Sequence, residues 1–272
     1  MLANSNHGVS CLHLWHRRLG HRDTEAVQKI LRNDLGSGLK VDQCNVKSVC
    51  GPCCEGKLSR ESFPKVSGSR ASAVGDLVHT DLGGPMEEPT ARGSRFFMTM
   101  VDDYSRYTVV YLLHAKSEAE DRIREYCAMM RNQFGRYPKV IRSDGGGEYA
   151  SKSLQKFFAD HGIVHQWTAP YSPQQNGVAE RKNRYLVEMM RCLLADSKLE
   201  KVFWGEAIST ANYLQNRLPS SSVKSTPYEL WYRKKPAYDH LRVFGSEAFV
   251  HIPKEKRRKL DNKAEKLVFV VW

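Results

Sequence analysis

Short runs rich in β-branched and aromatic residues alternate along this chain with longer segments whose apolar residues recur every three or four positions. The segments LVHTDL, RFFMTMVDD and YTVVYLL lie between residues 77 and 113, and the turn-like YSR separates the last two. Runs of this composition predict strands. We therefore expect three consecutive strands in this part of the chain.

A helical period follows, from Ser117 as the predicted N-cap to Gly135 as the predicted stop. Its apolar positions are Ile123, Tyr126, Cys127, Met130 and Phe134. The segment KVIRSD then predicts a short strand, SKSLQKFFADHG a short helix that ends at Gly162, and IVHQWTAP another strand.

Two more helices are predicted after the loop YSPQQNG, one from Val178 to about Ser197 and one over VFWGEAISTANYLQNRLPS. This order of elements describes a mixed α/β layer fold. A stretch rich in Ser, Gly and Pro predicts a linker at 64–74, which separates an N-terminal unit, 1–63, from a core, 75–235. Residues 236–272 hold two β-like runs, and because the second stops at Trp272 we expect a truncated C-terminal region.

Charge changes this picture by suggesting a partner. The chain has 272 residues with 42 Lys and Arg against 30 Asp and Glu, a formal net charge of +12. Such a balance favours nucleic acid, although an acidic membrane surface remains an alternative on charge alone. There is neither an apolar run of the ~18–20 residues that a membrane span needs nor a signal peptide, so we expect an intracellular protein with no membrane partner.

Seven unevenly spaced cysteines, three of them within 50–54, do not resemble a disulfide framework. His16 and His21 are four residues apart and Cys50 and Cys53 two apart, which gives the order H-x4-H-x28-C-x2-C. Imidazole and thiolate are the ligands that structural zinc prefers. Cys53 is favoured over Cys54 because it leaves the usual two-residue gap. Cys11, Cys44 and Cys54 stay unassigned, and a chance pattern is the alternative.

Three acidic residues come from three different elements. Asp81 and Asp144 are predicted at the ends of strands, and Glu180 opens the long helix. Carboxyl ends of adjacent strands converge, and a helix that crosses this edge can add a third ligand. Clustered carboxylates suit Mg²⁺ or Mn²⁺, and two such ions catalyse displacement at phosphorus. Any one of these acids could equally be a turn former or a solvated charge.

The spacing narrows this choice, since 180 − 144 − 1 leaves 35 residues between Asp144 and Glu180. Asp-Asp-35-Glu resembles the acidic triad of retroviral and retrotransposon integrases. The surrounding motifs resemble the copia-type retrotransposon integrase region over about residues 12–270. They are LWHRRLGH, C-x2-C-x3-GK, HTDLGGP, VDDYSRYT, RSDGGGEY, APYSPQQNGVAERKNR and LPSSSVKSTPYELWYRKKP.

This resemblance implies a ribonuclease H-like core with a mixed five-stranded sheet and flanking helices, preceded by a small helical zinc-binding domain of the gag-pre-integrase type. It implies that zinc is bound by His16, His21, Cys50 and Cys53. It further implies that Asp81, Asp144 and Glu180 are catalytic and hold two Mg²⁺ or Mn²⁺ ions. The expected activity is 3′-end processing and strand transfer of element DNA into target DNA, carried out in the nucleus by a multimer on two DNA ends.

Other residues near the expected site carry weaker signals. Arg184 lies on the same helical face as Glu180 and is expected to contact DNA, with a solvated basic face as the alternative. The loop side chains Tyr171, Gln174, Gln175 and Asn176 could contact nucleic acid or only form a loop. Gly145–Gly147 are interpreted as a steric requirement of a tight turn. Asp102, Asp103 and Glu148 match no position of the triad.

Two rival functions remain open from the sequence. The first is a domesticated or decayed element copy that binds nucleic acid or protein without joining DNA, which loss of a C-terminal region would favour. The second is a nuclease or transposase with the same triad and another substrate, which the HHCC pattern disfavours.

Overall fold

The computed structural model describes residues 11–41, 50–57, 70–168, 177–220 and 222–270. The helices are α1 Leu12–Arg18, α2 Thr24–Arg32, α3 Gly51–Lys57, α4 Ala119–Phe134, α5 Lys152–Asp160, α6 Gly177–Ser197, α7 Trp204–Arg217 and α8 Pro227–Tyr232. The strands are β1 Val78–Gly83, β2 Phe96–Asp102, β3 Thr108–Leu113, β4 Val140–Ser143, β5 Val164–Trp167, β6 Glu247–His251 and β7 Ala264–Val268.

Five strands form the central sheet in the order β3-β2-β1-β4-β5. The three strands predicted from 77 to 113 pair antiparallel, while β4 pairs parallel with both β1 and β5. The mixed five-stranded sheet with flanking helices is therefore confirmed. The change from antiparallel to parallel pairing occurs at β1, because α4 carries the chain across the sheet from β3 to β4.

Of the two predicted ends of α4, Gly135 is confirmed and Ser117 is not. Gly135 ends α4 in the left-handed region at φ 70°, and the Ser151 hydroxyl caps α5 by accepting from the Leu154 amide at 3.0 Å. The prediction of Ser117 as the N-cap of α4 was wrong. Ser117 lies inside a short 3-10 turn, Lys116–Glu118, and Glu118 precedes the helix without a side-chain cap.

The sheet separates two hydrophobic clusters because successive side chains of a strand point to opposite faces. Met98 and Met100 pack on one face with α4 and α5, together with Ile141 of β4. Phe97 packs on the other face with Trp204 and the apolar side of α6. Trp204 and Trp231 are buried.

The N-terminal region is helical, and its apolar residues enter the same cluster as α6. Trp15, Leu19 and Ile30 are buried there against residues that include Leu186 and Met189. The N-terminal helices therefore share a core with the long helix of the sheet domain and do not form an isolated module.

The C-terminal part of the described chain is an antiparallel pair of strands, β6 and β7. Phe249 and Leu267 keep 69% and 43% of their surface exposed, so this pair adds little to either core. Most of the predicted linker, up to residue 69, lies outside the described residues. Within the described part of the chain, no helix combines the length and the apolar character needed to cross a membrane.

Candidate functional site

The three predicted acids lie on neighbouring elements of the sheet domain. Asp81 is the fourth of six residues of β1, so the prediction that it ends its strand was wrong by two residues. Asp144 directly follows β4, which pairs parallel with β1, and Glu180 is in the first turn of α6. The parallel pairing of β1 with β4 brings two of the three acids to one edge of the sheet.

The environment of Asp81 depends on the other two acids. Burial raises the pKa of Asp81 to about 7, and the negative charges of Asp144 and Glu180 contribute to this increase. A hydrogen bond from Asn183 opposes it only in part. The three carboxylates therefore lie close enough to repel one another, which is an arrangement that a divalent cation stabilises.

Asn183 fixes the orientation of Asp81. Its Nδ2 donates to Asp81 Oδ2 at 2.9 Å, and its Oδ1 accepts from the Thr99 hydroxyl at 2.7 Å. Asn183 is 8% exposed, and Thr99 faces Asp81 across the β1–β2 ladder. The sequence placed Asn183 on the helical face of Glu180, but it gave no sign that the amide would reach a strand residue 102 positions away.

Space remains open beside Asp144. Gly145 and Gly147 follow it without a left-handed φ, and a Cβ atom on either would meet no other atom within 4 Å. The interpretation as a steric requirement of the turn was therefore wrong for Gly145 and Gly147, whereas a Cβ atom on Gly146 would lie 2.7 Å from Glu148 Cδ. The amide of Gly146 donates to Asp144 Oδ1 at 3.2 Å, and the second carboxylate oxygen has no hydrogen-bond partner among the described residues.

The residues of the HHCC pattern converge in space. His16 comes from α1, His21 follows that helix at φ 59°, Cys53 belongs to α3 and Cys50 precedes it. Their ligand atoms all lie within 4.8 Å of one another. In the described part of the chain, this is the one group of three or more His, Cys, Asp or Glu residues that is so compact.

The distances fit a tetrahedral zinc ion. Cys53 Sγ lies 3.3 Å from His16 Nε2, and Cys50 Sγ lies 3.3 Å from His21 Nδ1. Zinc–sulfur and zinc–nitrogen bonds of about 2.3 and 2.0 Å at tetrahedral angles give an S···N distance of roughly 3.5 Å. The second nitrogen of His16 contacts the Arg22 carbonyl oxygen, which leaves Nε2 free to bind a metal.

A carboxylate from α6 supports the second histidine. Asp196 Oδ2 lies 3.8 Å from His21 Nε2 and 2.9 Å from Arg17 Nη2. Burial alone would lower the pKa of His21, but the contacts with Asp196 and Cys53 keep it above its ordinary value. Sequence reasoning missed Asp196, since an acidic residue near the end of a helix carries no sign of a histidine 175 positions earlier.

The remaining predicted residues are dispersed. Arg184 is exposed on α6. Cys54 is exposed and Cys11 is buried, whereas Cys44 and the loop residues Tyr171, Gln174, Gln175 and Asn176 lie outside the described residues.

Two acids that match no triad position have other partners. Asp102 accepts from the amides of Gly75 and Ser105 at 2.7 Å each. Asp103 Oδ1 lies 3.1 Å from His79 Nε2 and 2.9 Å from Arg106 Nη1. The contacts of both acids hold the β2–β3 turn in place. Burial alone would raise the pKa of Asp103, but the contacts with His79 and Arg106 keep it well below its usual range.

Family models match three parts of the chain. The integrase core domain matches residues 71–173, the GAG-pre-integrase domain residues 1–58, and the retroviral polymerase SH3-like domain residues 246–271.

Curated relatives match nearly the whole chain. The retrovirus-related Pol polyprotein from transposon TNT 1-94 of Nicotiana tabacum is 42% identical over 258 residues, which cover 94% of this chain and 19% of that protein. The corresponding polyprotein from transposon RE1 of Arabidopsis thaliana is 30% identical over 94% of this chain and 17% of its own length. The chain thus spans about a fifth of the length of these relatives.

A solved structure supports the fold alone. A chain in the cryoEM structure of the simian T-cell lymphotropic virus intasome, in complex with the PP2A regulatory subunit B56 gamma, superposes with a TM-score of 0.51 at 20% identity. The match covers 80% of this chain and 76% of that one. The motifs, the sheet order and the relatives agree: the chain contains a GAG-pre-integrase domain followed by an integrase core domain and is similar to the corresponding region of copia-type, retrovirus-related Pol polyproteins.

Proposed function

We propose that this chain catalyses metal-dependent processing and joining of element DNA, with Asp81, Asp144 and Glu180 as the catalytic residues. The observation that carries the proposal is the position of the acids: β1, with Asp81, pairs parallel with β4, which Asp144 follows, and Asn183 from the helix of Glu180 donates to Asp81 Oδ2 at 2.9 Å. The raised pKa of Asp81 agrees with this arrangement. In an integrase core fold, such a group is suited to Mg²⁺ or Mn²⁺.

The three acids would hold two such ions, and Asn183 would keep the Asp81 carboxylate turned towards them. Bound at this site, the ions supply activation of the attacking oxygen and stabilisation of the leaving oxygen. Asp81 must lose its proton when it becomes a ligand, so the affinity for the metal rises with pH. In the first displacement water would cleave a phosphodiester and free a 3′-hydroxyl of the element DNA. In the second this hydroxyl would form a new bond to a phosphorus of the target strand, whose P–O3′ bond breaks and whose 3′-oxygen leaves as a hydroxyl.

His16, His21, Cys50 and Cys53 would hold a structural zinc ion. When bound, it would fix α1 against α3 and supply folding free energy to the N-terminal segment. Asp196 would orient His21 towards the ion through the second ring nitrogen. We call the segment from α1 to α3 with its four proposed ligands the zinc module, and Asp81, Asp144 and Glu180 the acidic site. Since Asp196 and Glu180 belong to the same helix, α6, the zinc module and the acidic site share one rigid element.

The proposed partners are element-end DNA, target DNA and further copies of this chain, with the nucleus as the place of action. The net charge of +12 suits a polyanionic substrate, and Arg184 offers an exposed cation on the helix of Glu180. The units 1–63, 64–74, 75–235 and 236–272 remain the proposed domain division.

The test uses the purified, zinc-loaded chain with labelled element-end DNA and Mg²⁺. The wild-type protein should trim and join DNA, and Glu180→Gln should lower the rate by at least about a thousandfold through loss of a metal ligand. Glu188→Gln, two turns along the same helix, is the matched control and should retain activity.

Loss of activity in both variants would point to damage of α6, and equal activity in all three proteins would refute the assignment of Glu180. Binding of DNA without cleavage by the wild-type protein would instead support a nucleic-acid-binding role without joining activity.

A further inference from the structure

A positively charged cleft lies beside the acidic site. It has a volume of about 250 Å³ and is formed by the first turns of α6, the β2–β3 turn, the end of α7 and the zinc module. Among the described residues, its lining contains no acidic side chain. The cationic side chains of the lining are Arg22, Arg106, Arg181 and Lys182. Pockets for drug-sized molecules usually measure about 300–1,000 Å³, so this cleft suits a small anionic group.

The positive charge of the cleft is only partly compensated. Arg22 Nε lies 3.1 Å from Asp23 Oδ2, and Arg106 Nη1 lies 2.9 Å from Asp103 Oδ1. Asp103 Oδ1 also lies within hydrogen-bond distance of His79 Nε2, at 3.1 Å. In the part of the chain that the structure describes, neither Arg181 nor Lys182 has a carboxylate partner. Burial and the positive charges of Arg106 and Arg22 lower the pKa of Lys182 to about 7. Three arginines and a partly protonated lysine against two acids therefore leave an excess charge between about +1 and about +2 at the cleft.

Burial of the cationic side chains increases the free-energy cost of this excess positive charge. The side chains of Arg22 and Arg106 are only 16% and 17% exposed. Within the described residues, Nε and Nη1 of Arg106 and Nε of Arg22 have no hydrogen-bond acceptor in good geometry. Burial, with the positive charges of Arg70 and Arg181, lowers the pKa of Arg106. Buried cations without sufficient partners destabilise a fold unless an anion accompanies them.

Neutral side chains of the lining add further donors. Ser220 and Ser222 contribute hydroxyl groups. Gln215 is 6% exposed, and its Oε1 has no hydrogen-bond partner among the described residues. Rotation of this amide by 180° turns its NH₂ group to the place of the oxygen, where it can donate to an anion. Guanidinium, ammonium and hydroxyl groups together are the donors that phosphate oxygens prefer.

We propose that this cleft is a phosphate-binding site, which takes either a phosphate of the nucleic-acid backbone or a free phosphate compound. Val101 lines the cleft and lies two residues along β2 from Thr99, which contacts Asn183 beside Asp81. This separation corresponds to about 7 Å along a strand. Arg22 directly follows His21, so the zinc module completes the site with a residue that the sheet domain lacks.

The test compares the full, zinc-loaded wild-type chain with the double variant Arg181→Gln/Lys182→Gln in buffer without Mg²⁺, so that it does not depend on DNA joining. A charge-matched control, Arg191→Gln/Lys198→Gln, removes two exposed cations from the far half of α6 and the residue after it. Two quantities are measured: the shift in melting temperature with inorganic pyrophosphate, and the salt dependence of binding to duplex DNA.

Loss of two phosphate contacts should reduce the slope of log K against log salt by about 1.8, which weakens DNA binding roughly 30-fold at about 0.15 M salt. This change in the cleft variant but not in the control supports a backbone phosphate as the ligand. A pyrophosphate-induced increase in melting temperature that the cleft variant alone loses supports a free phosphate compound.

Arg22→Gln, on the zinc module, should reproduce whichever effect is seen, because it removes a cation from the opposite wall. Equal behaviour of the cleft variant and the control in both measurements overturns the proposal. Failure of DNA joining has no influence on either readout.

Discussion

Asp81→Asn should stabilise the magnesium-free protein at high pH, although it removes a proposed metal ligand. The pKa of Asp81 is raised to about 7 in the folded chain, whereas an unfolded Asp titrates near 3.9. Between these values the unfolded chain has released a proton that the folded chain still holds. The free energy of unfolding of the wild-type protein therefore falls as pH rises from about 4 to about 7.

A difference of about three pKa units corresponds to roughly 4 kcal/mol as an upper limit. Partial exposure of Asp81 and screening by solvent reduce this to about 2 kcal/mol at about pH 8 and to about 1 kcal/mol at about pH 5.5. The variant should thus gain about 1 kcal/mol relative to wild type over this interval, or about 2–4 °C in melting temperature.

Thermal unfolding of zinc-loaded protein, followed by circular dichroism at both pH values, measures this difference. Asp160→Asn is the control, because Asp160 is exposed at the end of α5, and its melting temperature should follow that of wild type. Added Mg²⁺ should then stabilise the wild-type protein much more than Asp81→Asn. A wild-type protein that is more stable than Asp81→Asn at about pH 8 without Mg²⁺ would refute the reasoning.

Three further predictions concern the residues that support the sites. Asp196→Asn should weaken zinc binding by about 10–100-fold, measured in competition with a chelator. The control Asp160→Asn should leave the affinity for zinc unchanged, and equal affinities of the two variants would show that Asp196 does not support the zinc site. Asn183→Ala should raise the Mg²⁺ concentration for half-maximal DNA cleavage by about tenfold, whereas Thr99→Ser, which keeps the hydroxyl, should not. Leu186→Ala should lower the free energy of unfolding, measured in urea, by about 2–5 kcal/mol, because Leu186 is fully buried between the N-terminal helices and the sheet. The control Leu260→Ala, at a side chain that is 97% exposed, should change the free energy of unfolding by less than about 0.5 kcal/mol.

Most elements of the sheet domain could be predicted from the sequence, because their hydrophobic periods are local properties of the chain. The five strands, α4, α5, α6 and α7 lie where the runs and periods predict them. The one wrong helix boundary also has a local cause. The 3-10 turn around Ser117 moves the start of α4, since a preference for the N-cap does not determine where the helical hydrogen bonds begin.

The sequence by itself also determined the candidate chemistry, because spacing along the chain identifies residues without showing their contacts. The 35-residue interval between Asp144 and Glu180 and the H-x4-H-x28-C-x2-C order named seven side chains. The structure brings four of them together within 4.8 Å and places the other three in one electrostatic environment.

Only the tertiary structure shows which other side chains contact or support these seven residues. Asn183 reaches Asp81 over 102 positions, Asp196 reaches the zinc module, and Arg22 meets Arg106 in the phosphate cleft. No local pattern encodes such pairs, because they depend on how α6 packs between the N-terminal helices and the sheet. Burial then sets the charge of each group: the same carboxylic acid has its pKa raised at Asp81 and lowered at Asp103. The sequence named the reacting groups, and the packing of one helix determined their surroundings.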